Sequence, residues 1–370
     1  MANILFYSPF NQRSRDTESL MLAFHRVGHK VISLSQQEGY VINDFLNANG
    51  ISAFSKIIPG KRSGLWYFLR HLIFFIRFCW NRQIDIVYSH LEPSNFVAAI
   101  AQYLIRARVY LCRHHIDEGL LYQFDRSLYY KVTYLLAKKI IVVSKHAQKY
   151  MIEQEGIPAK KIIHINLAYD FDLYGRPDIH KVNQIRKEFN SDVLLISVCR
   201  LTAFKRPDLT IQVVRNLAKQ DIDVKLIMLG IGEMHDQLKK EVIDLGLEKN
   251  IFMVGYVNNV LDYMAAADFL IHPSLLDSSC VAVKEAGLVK LPAIVCQGIG
   301  DFNDYIVDKK NGFSVNPDTF VNDASKIILE NYLRKDFLQN IGQNLNQSIL
   351  DLFHIQNVVH QYDLLNTSSQ

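Results

Sequence analysis

The stretch "DFLIHPSLLDSSCVAVKEAG", Asp268 to Gly287, sets the pattern from which the rest of the chain is read. A short apolar run meets a polar turn, and the turn opens into an apolar helical pattern. That succession is one βα unit of a parallel sheet, whose strands are covered on both faces and so read as unbroken apolar runs. "FLIHPS" is accordingly a strand, "LLDSS" a turn and "CVAVKEAG" a helix, with Ser278 or Ser279 placed to cap its start and Gly287 to stop it. Two carboxylates bracket the unit: Asp277 in the turn, and Glu285 about two turns into the helix. An acid on a helix is ordinarily solvated. Here Ala282, Val283, Ala286 and Leu288 make the helix largely apolar, so Glu285 is expected to be buried and to need a hydrogen-bonding partner.

The same rhythm runs outward in both directions. Before it, "NILFYS", "KVISLS", "IDIVYSH", "RVYLCRHH", "KIIVVS" and "KIIHIN" alternate with helical patterns at 17–28, near 40–49, and at 95–106, 125–139 and 145–155. After a polar stretch at 168–190 it restarts with "DVLLISVCR", "VKLIMLG", "NIFMVGY", "DFLIHPS", "PAIVC" and "GFSV", with helices at 207–219, 233–245, near 259–266 and at 281–289. Two doubly wound α/β domains are expected, over 1–175 and 190–345, with a helical tail, 346–370, crossing back onto the first. A length of 370 residues suits two domains better than one.

Composition agrees with proper cores. Apolar residues make up 49% and charged residues 21%, with no low-complexity tract. Cys79, Cys112, Cys199, Cys280 and Cys296 form no C-x-x-C pair, which favours buried thiols in a reducing compartment over disulfides or a metal site. "MANILFYSPF" reads as a first strand rather than a leader, so a cytoplasmic location is expected. "GLWYFLRHLIFFIRFCW", Gly64 to Trp80, is interrupted by Arg70, His71 and Arg77 and falls short of the roughly 20 clean residues of a bilayer span. The net charge of +4 is uneven: residues 1–180 hold 22 Lys+Arg against 14 Asp+Glu, and 56–149 hold 15 against five. A basic segment laced with aromatics favours an anionic partner, with a solvated basic helical face as the plain alternative.

Ligands of open α/β sheets bind beyond the carboxyl ends of the strands, so those ends carry the candidates. "SVCRLTAFKRPD" puts Arg200 at a strand end and Lys205 just before a helix; two cations beside a helix N-terminus suit a diphosphate. "LGIGE" offers Gly230 and Gly232 as a turn that backbone can use to approach a ligand, a feature common to many α/β folds. In the first half, "IVYSHLEPSN" ends in His90, and "RVYLCRHHIDE" in Arg113, His114, His115 and Asp117. One His at a strand end is more often structural, but "RHHID" is denser than that. No third ligand at sensible spacing supports a metal on His114 and His115.

In order and spacing, "SVCRLTAFKRPDLTI", "VKLIMLGIGE", "NIFMVGYVNNVLDYMAAADFLIHPSLLDSSCVAVKEAGLVKLPAIV" and "DYIVDKKNGFSV" resemble the C-terminal half of the GT-B retaining glycosyltransferases of glycosyltransferase family 4. The likeness extends more loosely over the whole chain. It implies a GT-B fold, two Rossmann-like domains facing a central cleft, and retaining transfer from a nucleotide diphosphate sugar without cofactor or metal. Asp277 and Glu285 fall on the two acidic positions of the family's E-x-x-x-x-x-x-x-E motif. By that resemblance Glu285 accepts from the ribose hydroxyls, Asp277 faces the transferred sugar or its phosphate, and Arg200 and Lys205 hold the diphosphate. Gly230, Gly232, Tyr256, Ser278, Ser279 and Cys280 complete the donor side. His114, with His115 as fallback, takes a positioning role. Arg13, Arg15, His90, Arg113 and His115 fall on the acceptor side.

Two departures stand out. Asp277 is one methylene shorter than the usual Glu, and "SPFNQRSRDTES" has no glycine where the family often has a glycine-rich loop. The implied partners are a nucleotide-sugar donor, a glycan or lipid-linked acceptor, and an anionic membrane surface met by segment 56–82, where Trp66, Phe74, Phe75 and Trp80 lie among Lys61, Arg62, Arg70 and Arg77; the rival for this segment is a helix packed on the sheet. Nucleic acid is not among them. The rival readings are another GT-B nucleotide-sugar reaction such as epimerisation, and an inactive scaffold that binds glycan or a partner enzyme. An NAD-dependent oxidoreductase is disfavoured, since no G-x-G-x-x-G follows the first strand.

Overall fold

The computed structural model describes residues 1–37, 39, 41–58, 65–114 and 127–367, and divides into two compact units: Met1–Leu173 with Phe353–Gln370, and Tyr174–Leu352. Among the described residues of the first unit, seven parallel strands, β1 (Asn3–Ser8), β2 (Lys30–Ser35), β3 (Ser52–Ser55), β4 (Ile86–His90), β5 (Arg108–Arg113), β6 (Lys139–Val142) and β7 (Ile162–His164), lie in the order 3-2-1-4-5-6-7. The second unit has six: β8 (Val193–Val198), β9 (Val224–Leu229), β10 (Ile251–Gly255), β11 (Phe269–His272), β12 (Ala293–Cys296) and β13 (Phe313–Val315), ordered 10-9-8-11-12-13. Both are doubly wound, as the alternating pattern requires. Strand order reverses between β1 and β4 in one sheet and between β8 and β11 in the other, and ligand crevices of such sheets open at the carboxyl ends of these strands.

Alternate side chains explain why the strands are apolar throughout. Leu5, Tyr7, Val87 and Leu111 point to one face of the first sheet, Ile4, Phe6, Tyr88 and Tyr110 to the other, and both sets are buried. In the second sheet Val193, Leu195, Leu226, Met228, Phe269 and Ile271 do the same on one face. Each such side chain contributes about 1.5–3 kcal/mol of burial.

The tail packs as expected on the first unit. From the helix Ile355–Thr367, Ile355, Val358 and Tyr362 enter its core, with the Tyr362 ring 5.4 Å from that of Tyr88 and 6.0 Å from Phe24. The preceding helix, Lys335–Phe353, instead packs on the helix Val281–Leu288 of the second unit. A β-carbon on Gly287 would lie 2.7 Å from Ile349 Cγ1, so this glycine does not stop its helix; it lets the two helices approach.

One element falls outside the sequence reading. β3, "SAFS", is a short edge strand without an apolar run, held by pairing to β2 and by Asn11 and Asn43 side chains on the Ser55 hydroxyl. Much of the basic aromatic segment is the helix Leu65–Asn81, which buries His71, Leu72, Phe75 and Cys79 against the first sheet. Lys61 and Arg62 lie outside the described residues.

Candidate active site

The second unit brings its candidates together at the carboxyl ends of β8 and β11. Arg200 follows β8 and is exposed, while Lys205 ends the short turn Ala203–Lys205; their charged groups lie 5.7 and 5.8 Å from the centre of the Phe204 ring. The Phe204 carbonyl accepts from Leu275 N at 2.9 Å and from the Ser274 hydroxyl at 3.4 Å, which fastens this loop to the turn after β11. Lys205 Nζ therefore reaches Asp277 Oδ2 at 2.6 Å, with only 13% and 11% of the two side chains exposed.

His272, at the end of β11, places Nε2 3.0 Å from the same Oδ2 and 3.4 Å from Cys280 Sγ. Burial disfavours the charge on both His272 and Asp277, but their mutual hydrogen bond and their other neighbours outweigh it. Cys280 exerts the largest upward pull on the imidazole and Asp277 adds to it, so His272 rises to about 9, while His272 and Lys205 hold the Asp277 carboxyl well below the usual carboxylate range. Lys205 is likewise raised, the pull of Asp277 overcoming burial.

The sign of the pH response follows. His272 contributes its full stabilisation below pH 6.5, the value of a free imidazole, and loses it as pH rises through about 9. Asp277 contributes fully above pH 3.8 and fades only as pH falls towards its depressed value. The second unit should therefore lose stability between pH 6.5 and 9, and His272→Gln should flatten that decline. Urea midpoints at the two ends of this range, in chelator-containing buffer, provide the check: parallel declines in wild type and variant would contradict it.

A second cluster adjoins the first. Asp301 Oδ2 accepts from Lys284 Nζ at 2.7 Å and from the Ser279 hydroxyl at 2.6 Å, with the Lys284 and Asp301 side chains 1% and 0% exposed. Lys284 Nζ also donates to the Cys280 carbonyl at 3.2 Å. The expected serine cap is thus replaced: Cys280 is the N-cap, without a side-chain hydrogen bond, and Ser279 turns to Asp301 instead. Ser278 N donates to Asp277 Oδ1 at 3.2 Å. Glu285 is half-buried rather than buried, and Tyr256 is 74% exposed.

Gly230 and Gly232 answer a steric demand within the unit. Gly230 has φ +137°, and a β-carbon there would lie 1.9 Å from the Cys199 carbonyl oxygen; on Gly232 it would lie 2.3 Å from that of Leu201. Close approach to the backbone after β8 alone accounts for both glycines. Gly230→Ala should destabilise the second unit by about 3 kcal/mol or more, read as a lower urea midpoint; an unchanged midpoint would contradict the packing.

In the first unit, His90 Nδ1 and His114 Nε2 are 2.8 Å apart, and burial lowers both, His90 well below the ordinary value. Arg113 does not stand free at its strand end. Its side chain, 1% exposed, grips Glu155 with two hydrogen bonds of 2.6 and 2.7 Å and lies over Tyr134, which fixes the guanidinium within the first unit. Arg13 binds Glu18 in the same two-pronged way at 2.6 and 2.7 Å and covers Phe45, and Arg15 donates to the Leu173 carbonyl. The buried Glu18 carboxylate also accepts from Ser14 N, so a side chain organises the loop that lacks glycine. His115 and Asp117 lie outside the described residues.

His272, Lys284 and Asp301 were not singled out from sequence. The argument that drew attention to Glu285, a charge in an apolar helix, applies better to its neighbour Lys284.

Two family descriptions match this chain in succession: Glycosyltransferase Family 4 over residues 14–173 and Glycosyl transferases group 1 over 178–346. The chain belongs to glycosyltransferase family 4. The group 1 match contains Arg200, Lys205, Asp277 and Glu285. Among curated family relatives, the poly(ribitol-phosphate) alpha-N-acetylglucosaminyltransferase of Staphylococcus aureus (strain COL) is 22% identical over 59% of this chain and 46% of its own length, so the match spans about half of that protein. The UDP-Gal:alpha-D-GlcNAc-diphosphoundecaprenol alpha-1,3-galactosyltransferase of Escherichia coli is 23% identical over 88% of this chain and 85% of its own. Among solved structures, Anabaena Alr3699/HepE in complex with UDP-glucose superposes with a TM-score of 0.83 at 18% identity, covering 100% of both chains. This places the family 4 chain among GT-B folds.

Proposed function

We propose that this family 4 protein is a retaining glycosyltransferase that moves a sugar from a nucleotide diphosphate sugar to a glycan or lipid-linked acceptor in cell-surface polysaccharide synthesis. The observation that carries the reading is the Lys205–Asp277 pair at the switch point of the second sheet, inside the group 1 match. Lys205 and Arg200 supply fixed positive charge where a diphosphate leaving group gathers negative charge, chemistry that needs no resident cofactor. The first turn after Cys280 adds N–H groups and the positive end of the helix dipole. Asp277, steered by His272 and Lys205, is assigned to the transferred sugar, and Glu285 to the ribose hydroxyls. In the first unit His114, held by His90, is assigned to substrate positioning. The UDP-glucose complex of Alr3699/HepE and the diphosphoundecaprenol acceptor in the Escherichia coli relative's name support the donor and acceptor classes.

A thermal-shift panel of UDP-, GDP- and ADP-sugars tests the donor side. A donor at 100 times its Kd stabilises the fold by about 2.7 kcal/mol, a shift of roughly 5–10 °C for a unit of this size. No shift with any of the three would remove the donor reading. The anomeric configuration of the product, read by NMR, tests retention.

We further propose that the protein works at the inner face of the plasma membrane, docking through the helix Leu65–Asn81. Trp66, Arg70, Ile73, Arg77 and Trp80 are exposed at helical spacing opposite the buried face, and the helix carries no acid. Among the described residues no helix is long and apolar enough to cross a membrane. Co-sedimentation with anionic vesicles at low salt should carry the protein down, and a protein left in the supernatant ends the docking idea.

A further inference from the structure

Three unlike donor atoms converge at the start of the helix Val281–Leu288. His272 Nε2 faces both Asp277 Oδ2, at 3.0 Å, and Cys280 Sγ, at 3.4 Å, and all three atoms lie within 4.8 Å of one another. An imidazole nitrogen has one in-plane position for a proton or a lone pair, so it cannot satisfy both neighbours along that direction. A single cation at the point of convergence satisfies all three. In a tetrahedral zinc centre, with Zn–N near 2.0–2.1 Å and Zn–S near 2.3 Å, neighbouring ligand atoms stand roughly 3.3–3.6 Å apart. The His272–Asp277 and His272–Cys280 separations of 3.0 and 3.4 Å need adjustments of only a few tenths of an ångström, and the Asp277–Cys280 pair, within 4.8 Å, closes by at most roughly 1.3 Å.

The chemistry of the set is selective. Imidazole, carboxylate and thiolate together suit a borderline-soft cation, whereas magnesium and calcium require oxygen ligands. His272 and Cys280 are 2% and 5% exposed, and the cluster meets solvent on the side of Asp277 and Lys205. Lys205 Nζ, 2.6 Å from Asp277 Oδ2, competes for the same oxygen. A divalent ion taking that oxygen would repel the ammonium group and push Lys205 off its partner.

We propose that His272, Asp277 and Cys280 form a binding site for a borderline-soft divalent cation of the Zn2+ class, and that its occupancy shuts the neighbouring donor site. Three protein ligands leave a fourth position to water. Cys280 binds as thiolate and His272 as neutral imidazole, so the protons they carry pass to solvent and nothing is oxidised or reduced. The site itself follows from the three donors; the shut-off rests on the transferase reading.

The test is titration of the full, chelator-treated chain with Co2+, then with Zn2+. Cobalt bound through a thiolate gives a near-ultraviolet charge-transfer band, and tetrahedral cobalt gives strong visible bands. The expected result is one cobalt per chain, displaced by zinc, with the charge-transfer band lost in Cys280→Ser and the visible bands collapsed in His272→Ala, each variant's fold checked by circular dichroism. No thiolate band at millimolar cobalt overturns the site, as does a band that survives both substitutions. Where one variant fails to fold, Asp277→Asn takes its place, and unaltered visible bands there overturn the assignment. Zinc should inhibit transfer, a chelator should restore it, and Cys280→Ser should raise the half-inhibiting zinc concentration at least tenfold. A cobalt-binding chain whose transfer is indifferent to zinc overturns the shut-off. The cobalt spectrum reads the site whether or not transfer is detected, so the two readings fail separately.

Discussion

Lys205→Ala is expected to lower kcat for sugar transfer by about two to three orders of magnitude while changing KM for the donor much less. The asymmetry follows from when the charge appears. A bound nucleotide sugar already carries negative charge on its diphosphate, but the leaving oxygen gains more as the glycosidic bond breaks, and a cation held in place gives its greatest stabilisation there. Lys205 is so held: Asp277 grips it at 2.6 Å, and the loop that bears it is fastened by Leu275 and Ser274 to the Phe204 carbonyl. Arg200 is exposed, where Lys205 is nearly buried against Asp277, so its removal should cost less. Initial-rate kinetics with the donor found by thermal shift would decide. Wild-type turnover in Lys205→Ala would withdraw the residue from the diphosphate, and equal loss in kcat and in donor affinity would assign it to ground-state binding.

What could be read from sequence divides by the range of the interactions. β8 and β11 were legible because a strand buried on both faces reads as a nearly continuous apolar run, and "VLLISV" and "FLIH" do, broken only by Ser197 and His272 towards their carboxyl ends. β3 was not, since "SAFS" becomes a strand through hydrogen bonds from residues distant in sequence. Lys205 and Asp277 were both recognised, yet as separate features of two strand ends; that they form one ion pair across 72 residues of chain is tertiary information. The grip of Arg113 on Glu155 is hidden from sequence for the same reason, because its partner lies 42 residues on in another element. The helix after Asp277 shows a finer limit. Its apolar character correctly signalled buried charge, but the helical register put Lys284 rather than Glu285 into the interior.

Lys284→Met is therefore expected to cost the second unit about 3–5 kcal/mol, the usual result of removing one partner from a buried pair. For a unit of this size that is roughly 6–20 °C in Tm. The remaining partner sets the cost. Asp301 keeps the Ser279 hydroxyl on Oδ2, while among the described residues Oδ1 has no hydrogen-bond partner. Burial already pushes this carboxyl up against the pull of Lys284. Without the ammonium group Asp301 should take up a proton, which caps the penalty below that of an isolated buried charge. Lys284→Met combined with Asp301→Leu should recover much of the loss, since an apolar pair can replace a buried ion pair. Recovery of fold without recovery of donor affinity would assign Lys284 a positioning role through the Cys280 carbonyl it holds at 3.2 Å. Recovery of both would make the pair a device of folding alone. A Tm unmoved in the single variant would mean that Lys284 is not buried against Asp301 at all.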